Sequence, residues 1–322
     1  MPIVSVTDLQ SSKGDTVNLD ISGVLSGYPI MGDEPLAGHG MNMDFGAMKL
    51  SVNQYRGMVN TGGLMSRQRT KWMLNPLARA KLAGWNARTM DQLITVHMLG
   101  ARGTQGGRLW NIPFEDHPNF GKIVTNKVRA PTKSRYFIPN GKTNPVNIAT
   151  TDYLTLEFFD LLRTMLDSME FPIEPIEIPD DEMAEDEPLY LGFVTPWQWH
   201  YIEQKTKGRN WRDMLQNALQ RRRGTSQHPL FRSATGYYAG FLLKKYRYAI
   251  RFKTDDNIQR MAGDDLTETT VQAPRAIDRL AIVGGQALGE AYAAHSSTGR
   301  PAFWNEEDVD HKNSKEISTG MV

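Results

Sequence analysis

The stretch GVLSGYPIMGDEPLAGHG, residues 23–40, holds five glycines and two prolines, too many for a helix or a plain strand. Val24, Leu25, Tyr28, Ile30, Met31 and Leu36 make it too apolar for a solvated linker. The question is what such a tip rests against. Before it, Thr16 to Ser22 alternates, with Val17, Leu19 and Ile21 facing one way and Asn18 and Asp20 the other, the period of a strand with one apolar face. After it, Met41, Met43 and Phe45 alternate, and Met48, Leu50 and Val52 resume one step out of phase across Gly46-Ala47, which predicts a β-bulge. Residues 16–53 read as two antiparallel strands joined by an 18-residue tip, and an unstructured loop of that length in a compact domain implies a function.

Further along, Asn75-Pro76 reads as an N-cap followed by proline at the first helical position, where its missing N–H costs nothing. Apolar residues then keep three-and-four spacing to Gly100, predicting a helix over 76–99 about 36 Å long at 1.5 Å per residue. Residues 101–150 are interrupted by Gly and Pro and carry Lys122, Lys127, Arg129, Lys133, Arg135 and Lys142, with no acid between Asp116 and Asp152. That pattern predicts an extended basic segment lying on something else. A second amphipathic helix is expected over Asp152 to Met169, with Leu154, Phe158, Leu161, Met165 and Met169 on one face. Residues 171–196 read as strand, acidic turn, strand. Nine acids and no base lie from Glu170 to Glu187, the composition of a solvated tip. A short helix follows Pro196, another is expected over Asn210 to Arg223, and strands are expected in GYYAGFLLKKYRYAIRF (236–252) and RLAIVGG (279–285). The mixture is α+β, without a βαβ rhythm or an internal repeat.

A chain of 322 residues is long enough for one large domain or two ordinary ones. Its 37 Lys and Arg against 36 Asp and Glu give no global field toward nucleic acid or anionic membrane. The absence of cysteine excludes thiolate catalysis, cysteine-ligated zinc and disulfides. The N-terminal residues lack the pattern of a signal peptide, and no window approaches the roughly 20 apolar residues that span a bilayer, so a soluble protein made in the cytosol is expected.

Candidate chemistry is sparse. Gly141-Lys142-Thr143 has Tyr136 where a phosphate-binding loop needs its first glycine, and Pro145 blocks the helix that should follow. LAIVGGQALGEAYAA (280–294) reads as strand, glycine turn, helix, but Gln286 breaks the dinucleotide spacing, and tight strand-to-helix packing accounts better for Gly284, Gly285 and Gly289. The seven histidines, at 39, 97, 117, 200, 228, 295 and 311, never pair at metal-ligand spacing. No hydrolase or calcium motif is present. No catalytic residue, metal ligand or cofactor is therefore assigned. Arg221, Arg222 and Arg223 end a helix that also holds Lys207, Arg209 and Arg212 against Asp213. Helix-dipole capping is the plain reading, and DNA-phosphate contact the sharper one. Trp197, Trp199, Tyr201, Tyr237, Tyr238 and Phe241 read as core or as interface.

The order of elements is recognisable. An arm, a long two-stranded loop with an apolar tip, a spine helix and an α+β body resemble the Hong Kong 97-type shell protein of tailed bacteriophages, and more closely the major capsid family typified by coliphage N-four. The resemblance rests on residues 25–57, on GGLMSRQRTKWMLNPLARAKLAGW (62–85), on LYLGFVTPWQWHYIEQ (189–204), on HPLFRSATGYYAGF (228–241) and on VGGQALGEAYA (283–293). It departs at FWNEEDVDHKNSKEISTGMV (303–322), which looks like the start of a final strand pair that relatives complete.

The resemblance implies an N-terminal arm over 1–15, an extended loop over 16–63, and a peripheral domain with the spine helix over 64–150. An axial domain would occupy 151–280, with a return to the peripheral domain over 281–322. It implies a non-enzymatic major capsid protein, located in the virion, that assembles as hexamers and pentamers into an icosahedral shell around double-stranded DNA. Scaffolding, portal and decoration proteins are its expected partners, with assembly in the host cytoplasm and no membrane. The tip residues Leu25, Tyr28, Pro29, Ile30, Met31 and Leu36 would touch a neighbouring subunit, and Arg221 to Arg223 would face the DNA. The alternative is a nucleic-acid-binding protein using 122–142 and 207–223.

Overall fold

The chain, a computed structural model, is described over residues 2–7, 9, 14–23, 25, 27–104, 109–178, 188–206, 212–218, 235–248, 250–261, 267–294 and 299–322. Its elements begin with strands β1 (Ile3–Val6), β2 (Thr16–Ser22), β3 (Phe45–Ser51) and β4 (Tyr55–Asn60). Helices α1 (Leu64–Arg69), α2 (Leu74–Leu99), α3 (Phe120–Ile123) and α4 (Leu156–Ser168) follow. Then come β5 (Tyr190–Val194), α5 (Pro196–Lys205), β6 (Thr235–Tyr238), β7 (Phe241–Lys245), β8 (Ile250–Phe252), β9 (Asn257–Met261) and β10 (Glu268–Gln272). The chain ends with β11 (Ile277–Arg279), β12 (Ala281–Val283), β13 (Leu288–Ala291), β14 (Ala302–Val309) and β15 (Ser314–Met321). The α+β class follows directly.

Two compact units are formed, one of Met1–Val4 with Ala83–Leu288, the other of Ser5–Leu82 with Gly289–Val322. The first is organised by a four-stranded sheet in the order β12-β5-β7-β6, with β5 and β7 parallel and the other pairs antiparallel. Alternation along β7 fills two apolar layers. Phe241 and Leu243 join Phe159, Leu162 and Leu166 of α4, while Leu242 joins Ile176, Ile178, Leu189 and Leu191. α4 begins at Leu156, later than Asp152, and its buried face is Leu156, Phe159, Leu162 and Leu166, one position round from the expected Phe158, Leu161 and Met165, of which Leu161 is exposed. α5 starts in a capping box, in which the Thr195 hydroxyl accepts from the Gln198 N–H and the Gln198 side chain accepts from the Thr195 N–H.

The second unit holds a two-stranded and a three-stranded antiparallel sheet. β2 runs against β3 in unbroken register from Thr16↔Ser51 to Ser22↔Phe45, and β14-β15-β4 form a three-stranded sheet. Ile317 of β15 is fully buried against Ala78 and Leu82 of α2 and Val59 of β4.

Several expectations are corrected. The bulge at Gly46-Ala47 is absent, since both residues hold register with Ile21 and Asp20, and residues 41–44 lie outside any strand. α2 begins at Leu74, so Asn75 lies inside the helix instead of capping it. Pro76 still falls within the first turn, where its missing N–H goes unneeded. A further helix, α1, precedes it. Residues 171–178 form no strand. The segment after Gly284-Gly285 is strand β13 beside β1, not a helix. Gly284 is needed because a Cβ there would lie 2.0 Å from the Glu174 carbonyl oxygen, so the close approach is to an extended segment. The final strand pair is complete, β14 against β15. Of the helix expected over Asn210 to Arg223, residues 212–218 are helical. The rest of it, most of the acidic turn, and Lys207 and Arg209 lie outside the described residues.

Candidate assembly surface

The β2–β3 hairpin is anchored at its base and bare at its end. Val17 is buried with Leu9 and Ala293, packed also by Val6, Val52, Ala291 and Val322. Leu19 reaches so close to residue 289 that a Cβ there would sit 2.3 Å from Leu19 Cδ1. Toward the end, Ile21, Phe45 and Met48 are exposed. Within the connecting segment, Gly23 N–H donates to Asp44 O at 2.8 Å and His39 N–H donates to Leu36 O at 3.1 Å. Met41 lies across Gly27, whose hypothetical Cβ would meet the Met41 side chain at 2.8 Å.

Of the six expected contact residues, Leu25, Tyr28, Pro29, Met31 and Leu36 are exposed and Ile30 is half-buried. Tyr28 is 97% exposed. Met41 and Met43 are also exposed and widen the surface beyond the residues singled out from sequence. Large apolar side chains scattered singly on a surface are ordinary, whereas here they are concentrated on one hairpin end. A second concentration, Leu64, Met65, Trp72, Met73 and Leu77, surrounds α1 and the start of α2. The sequence reading singles out none of these residues as a contact. The visible signal was Trp72-Met73 beside Lys71, an apolar pair without a periodic partner.

Three of the six cations of the basic segment have partners within the first unit, and Lys122, Arg129 and Lys133 are exposed. Lys127 pairs with Glu268 at 3.1 Å, Arg135 donates to the Phe171 carbonyl at 2.9 Å, and Lys142 pairs with Asp152. The hydrogen bond from Lys142, followed by that from Ala149 N–H, holds the Asp152 carboxyl below the usual carboxylate range. Arg102 is buried over the Trp110 ring, 3.7 Å from its centre, and burial pulls its guanidinium down to about 10. In the second unit, Glu306 is drawn down to about 2, chiefly by its hydrogen bond from Arg79 and then by the Trp304 indole. Arg221, Arg222 and Arg223 lie outside the described residues. Among the described residues there is no group of three or more His, Asp and Glu side chains placed to hold a metal ion.

A family model described as phage capsid protein matches residues 1–322. The chain belongs to the phage capsid protein family. Solved structures agree on the fold. The capsid of Ralstonia phage GP4 is 23% identical with a TM-score of 0.79, over 99% of this chain and 80% of that one. The Cyanophage Pam1 capsid is 18% identical with a TM-score of 0.65, over 98% and 81%. The head of Helicobacter pylori bacteriophage KHP40 is 9% identical with a TM-score of 0.59, over 99% and 79%. No curated protein matches. This capsid protein is thus a structural, non-enzymatic major capsid protein of a bacteriophage. It has the Hong Kong 97-type fold, belongs to the virion's icosahedral capsid and self-assembles into a shell. No finding favours the nucleic-acid-binding alternative.

Proposed function

We propose that residues 23–44 are the clamp by which each copy of this capsid protein holds the next in the shell. The observation that carries the reading is the exposure of Leu25, Tyr28, Met31 and Leu36 on a hairpin whose base is buried. Covering a large apolar side chain contributes about 1.5–3 kcal/mol, so a few per copy give a contact that a closed shell multiplies. A head-to-tail contact of this kind closes into rings, the hexamers and pentamers of the shell.

In this reading 1–15 is an arm, 16–63 the extended loop, 64–150 the peripheral domain, 151–280 the axial domain and 281–322 the return. The return draws support from the grouping of Gly289–Val322 with residues 64–82, the first part of the peripheral domain, although residues 83–150 and 281–288 group with the axial span. The packaged genome is double-stranded DNA, touched without sequence preference and at most through Arg221 to Arg223. A near-neutral chain suits this, because a strongly basic shell would bind the incoming genome instead of letting it slide. Scaffolding, portal and decoration proteins are the further partners, and assembly takes place in the host cytoplasm.

The test replaces residues 23–44 with Asn-Gly, which joins the paired strand ends Ser22 and Phe45 by a two-residue hairpin turn. The expected result is a folded, soluble subunit that forms no shells when expressed with its phage partners. Shells of wild-type stability would contradict the clamp, and an unfolded subunit would place the tip in the chain's own core.

A further inference from the structure

The corner where α1 meets α2 has the properties the tip lacks. Arg67, Thr70, Lys71, Trp72, Met73 and Leu74, with Asn75 and Pro76, line a shallow, open hollow of about 420 Å³. Trp72 is 71% and Met73 81% exposed, and Leu64, Met65 and Leu77 are exposed nearby. A tryptophan in that state on an isolated surface is the kind of residue that anchors an interface once covered.

Charge divides the two surfaces by sign. From Thr61 to Leu82 the sequence carries Arg67, Arg69, Lys71, Arg79 and Lys81 and no acid, while from Gly23 to Asp44 it carries Asp33, Glu34 and Asp44 and no Lys or Arg. Arg79 is engaged by Glu306, and Arg67 donates to the Asn313 carbonyl at 2.8 Å. Arg69 and Lys71 are exposed with no ion-pair partner among the described residues, and the same holds for Asp33 and Glu34. Methionine is shared by both surfaces. Met31, Met41 and Met43 of the tip and Met65 and Met73 of the corner are exposed, and flexible, polarizable side chains suit a contact that must adapt to more than one ring geometry.

We infer that the tip of one copy docks in the α1–α2 corner of a neighbouring copy, with Tyr28, Met31 and Leu36 against Trp72 and Met73, and Asp33 and Glu34 facing Arg69 and Lys71. The inference rests on the reading of the tip as an intersubunit clamp and names the surface it grips. Two different patches that complement each other, both exposed on the same chain, give a head-to-tail contact and not a symmetric pair. Opposite charge fixes the register of the apolar contact and disfavours tip-to-tip pairing, in which acids would meet acids.

The chain has no cysteine, so introduced thiols report without background. Leu36→Cys and Met73→Cys subunits, mixed and assembled with their phage partners under oxidising conditions, are expected to give a disulfide-linked dimer of one variant with the other. Its yield should be several-fold above that of Leu36→Cys mixed with Gly121→Cys. Asp33→Lys with Glu34→Lys, and separately Arg69→Glu with Lys71→Glu, should each lower shell yield several-fold, and the chain carrying all four changes should recover it. A four-change chain that folds yet assembles no better than either pair would overturn the inference. A photoreactive benzophenone amino acid at position 28 separates the two claims. Attachment to residues 64–77 of another copy supports both. Attachment to another copy elsewhere overturns the corner and leaves the clamp standing. Attachment only within its own chain overturns both.

Discussion

Two antiparallel hairpins in the same compact unit use their apolar residues in opposite ways. β14–β15 closes through residues 310–313 and lays its inner face on the unit, with Ile317 fully buried against α2 and β4. β2–β3 buries only its base and carries its remaining apolar residues outward through residues 23–44. The first hairpin stabilises the subunit that contains it. In the proposed clamp the second contributes only when another subunit covers it, which would put subunit stability and shell stability in separate parts of the chain.

The largest effect should fall on the buried hairpin. Ile317→Ala removes a fully enclosed side chain and is expected to lower the urea-unfolding free energy of the unassembled subunit by about 2–5 kcal/mol. Replacing Leu25, Tyr28, Met31 and Leu36 together by Ala should change that quantity by less than about 0.5 kcal/mol per site while lowering shell yield. Equal destabilisation by the two would erase the distinction between the hairpins.

The turn of the buried hairpin gives a smaller effect of opposite sign. Asp310, His311 and Lys312 all have positive φ, between 52° and 71°, a region unfavourable for residues with a Cβ. Lys312→Gly is expected to stabilise the unassembled subunit by up to about 1 kcal/mol, read as a shift in urea midpoint, with shell yield unchanged.

The smallest effect is a pH dependence confined to the same hairpin. Glu306 has its carboxyl drawn down to about 2, so its contribution is fully present above the ordinary glutamate pKa and is lost as pH falls toward 2. The midpoint difference between the wild type and Glu306→Gln should therefore be present at pH 7 and shrink from about pH 4 downward. Tip variants should show no such convergence.

The outcome for each element depends on whether its pattern reports the chain's own core. β2 was legible from its alternation, because Val17 packs within the subunit. α2 and α4 were legible as helices but their inward faces were not: α4 buries Phe159, Leu162 and Leu166 and leaves the expected Leu161 exposed, and α2 buries the polar Thr89, Gln92 and Thr95 beside Val96 and Leu99. The supposed bulge came from the phase slip between Met43–Phe45 and Met48–Leu50. Phe45 and Met48 are both exposed, so their phase is free of any core constraint. β13 was mistaken for a helix because Ala, Leu and Glu favour one locally, and pairing with β1 overrode that preference. The completeness of β14–β15 was hidden because its turn, Asp-His-Lys-Asn, is marked only by Asp310 and Asn313, with no glycine or proline to punctuate the sequence between the strands. The tip itself was legible because its composition suits neither a linker nor a core. The α1–α2 corner was not, since exposure of Trp72 and Met73 is a property of the fold and not of spacing.

Methionine oxidation offers a residue-by-residue view of which surfaces are covered on assembly. Unassembled subunits and purified shells would be exposed to a brief pulse of peroxide and the modified peptides quantified by mass spectrometry. Met31, Met41 and Met43, all exposed in the single chain, should oxidise readily in the subunit and be strongly protected in the shell. The buried Met214 should be slow in both. Oxidation of Met31 and Met43 at the same rate in shell and subunit would mean that nothing covers the tip, and the clamp would be refuted.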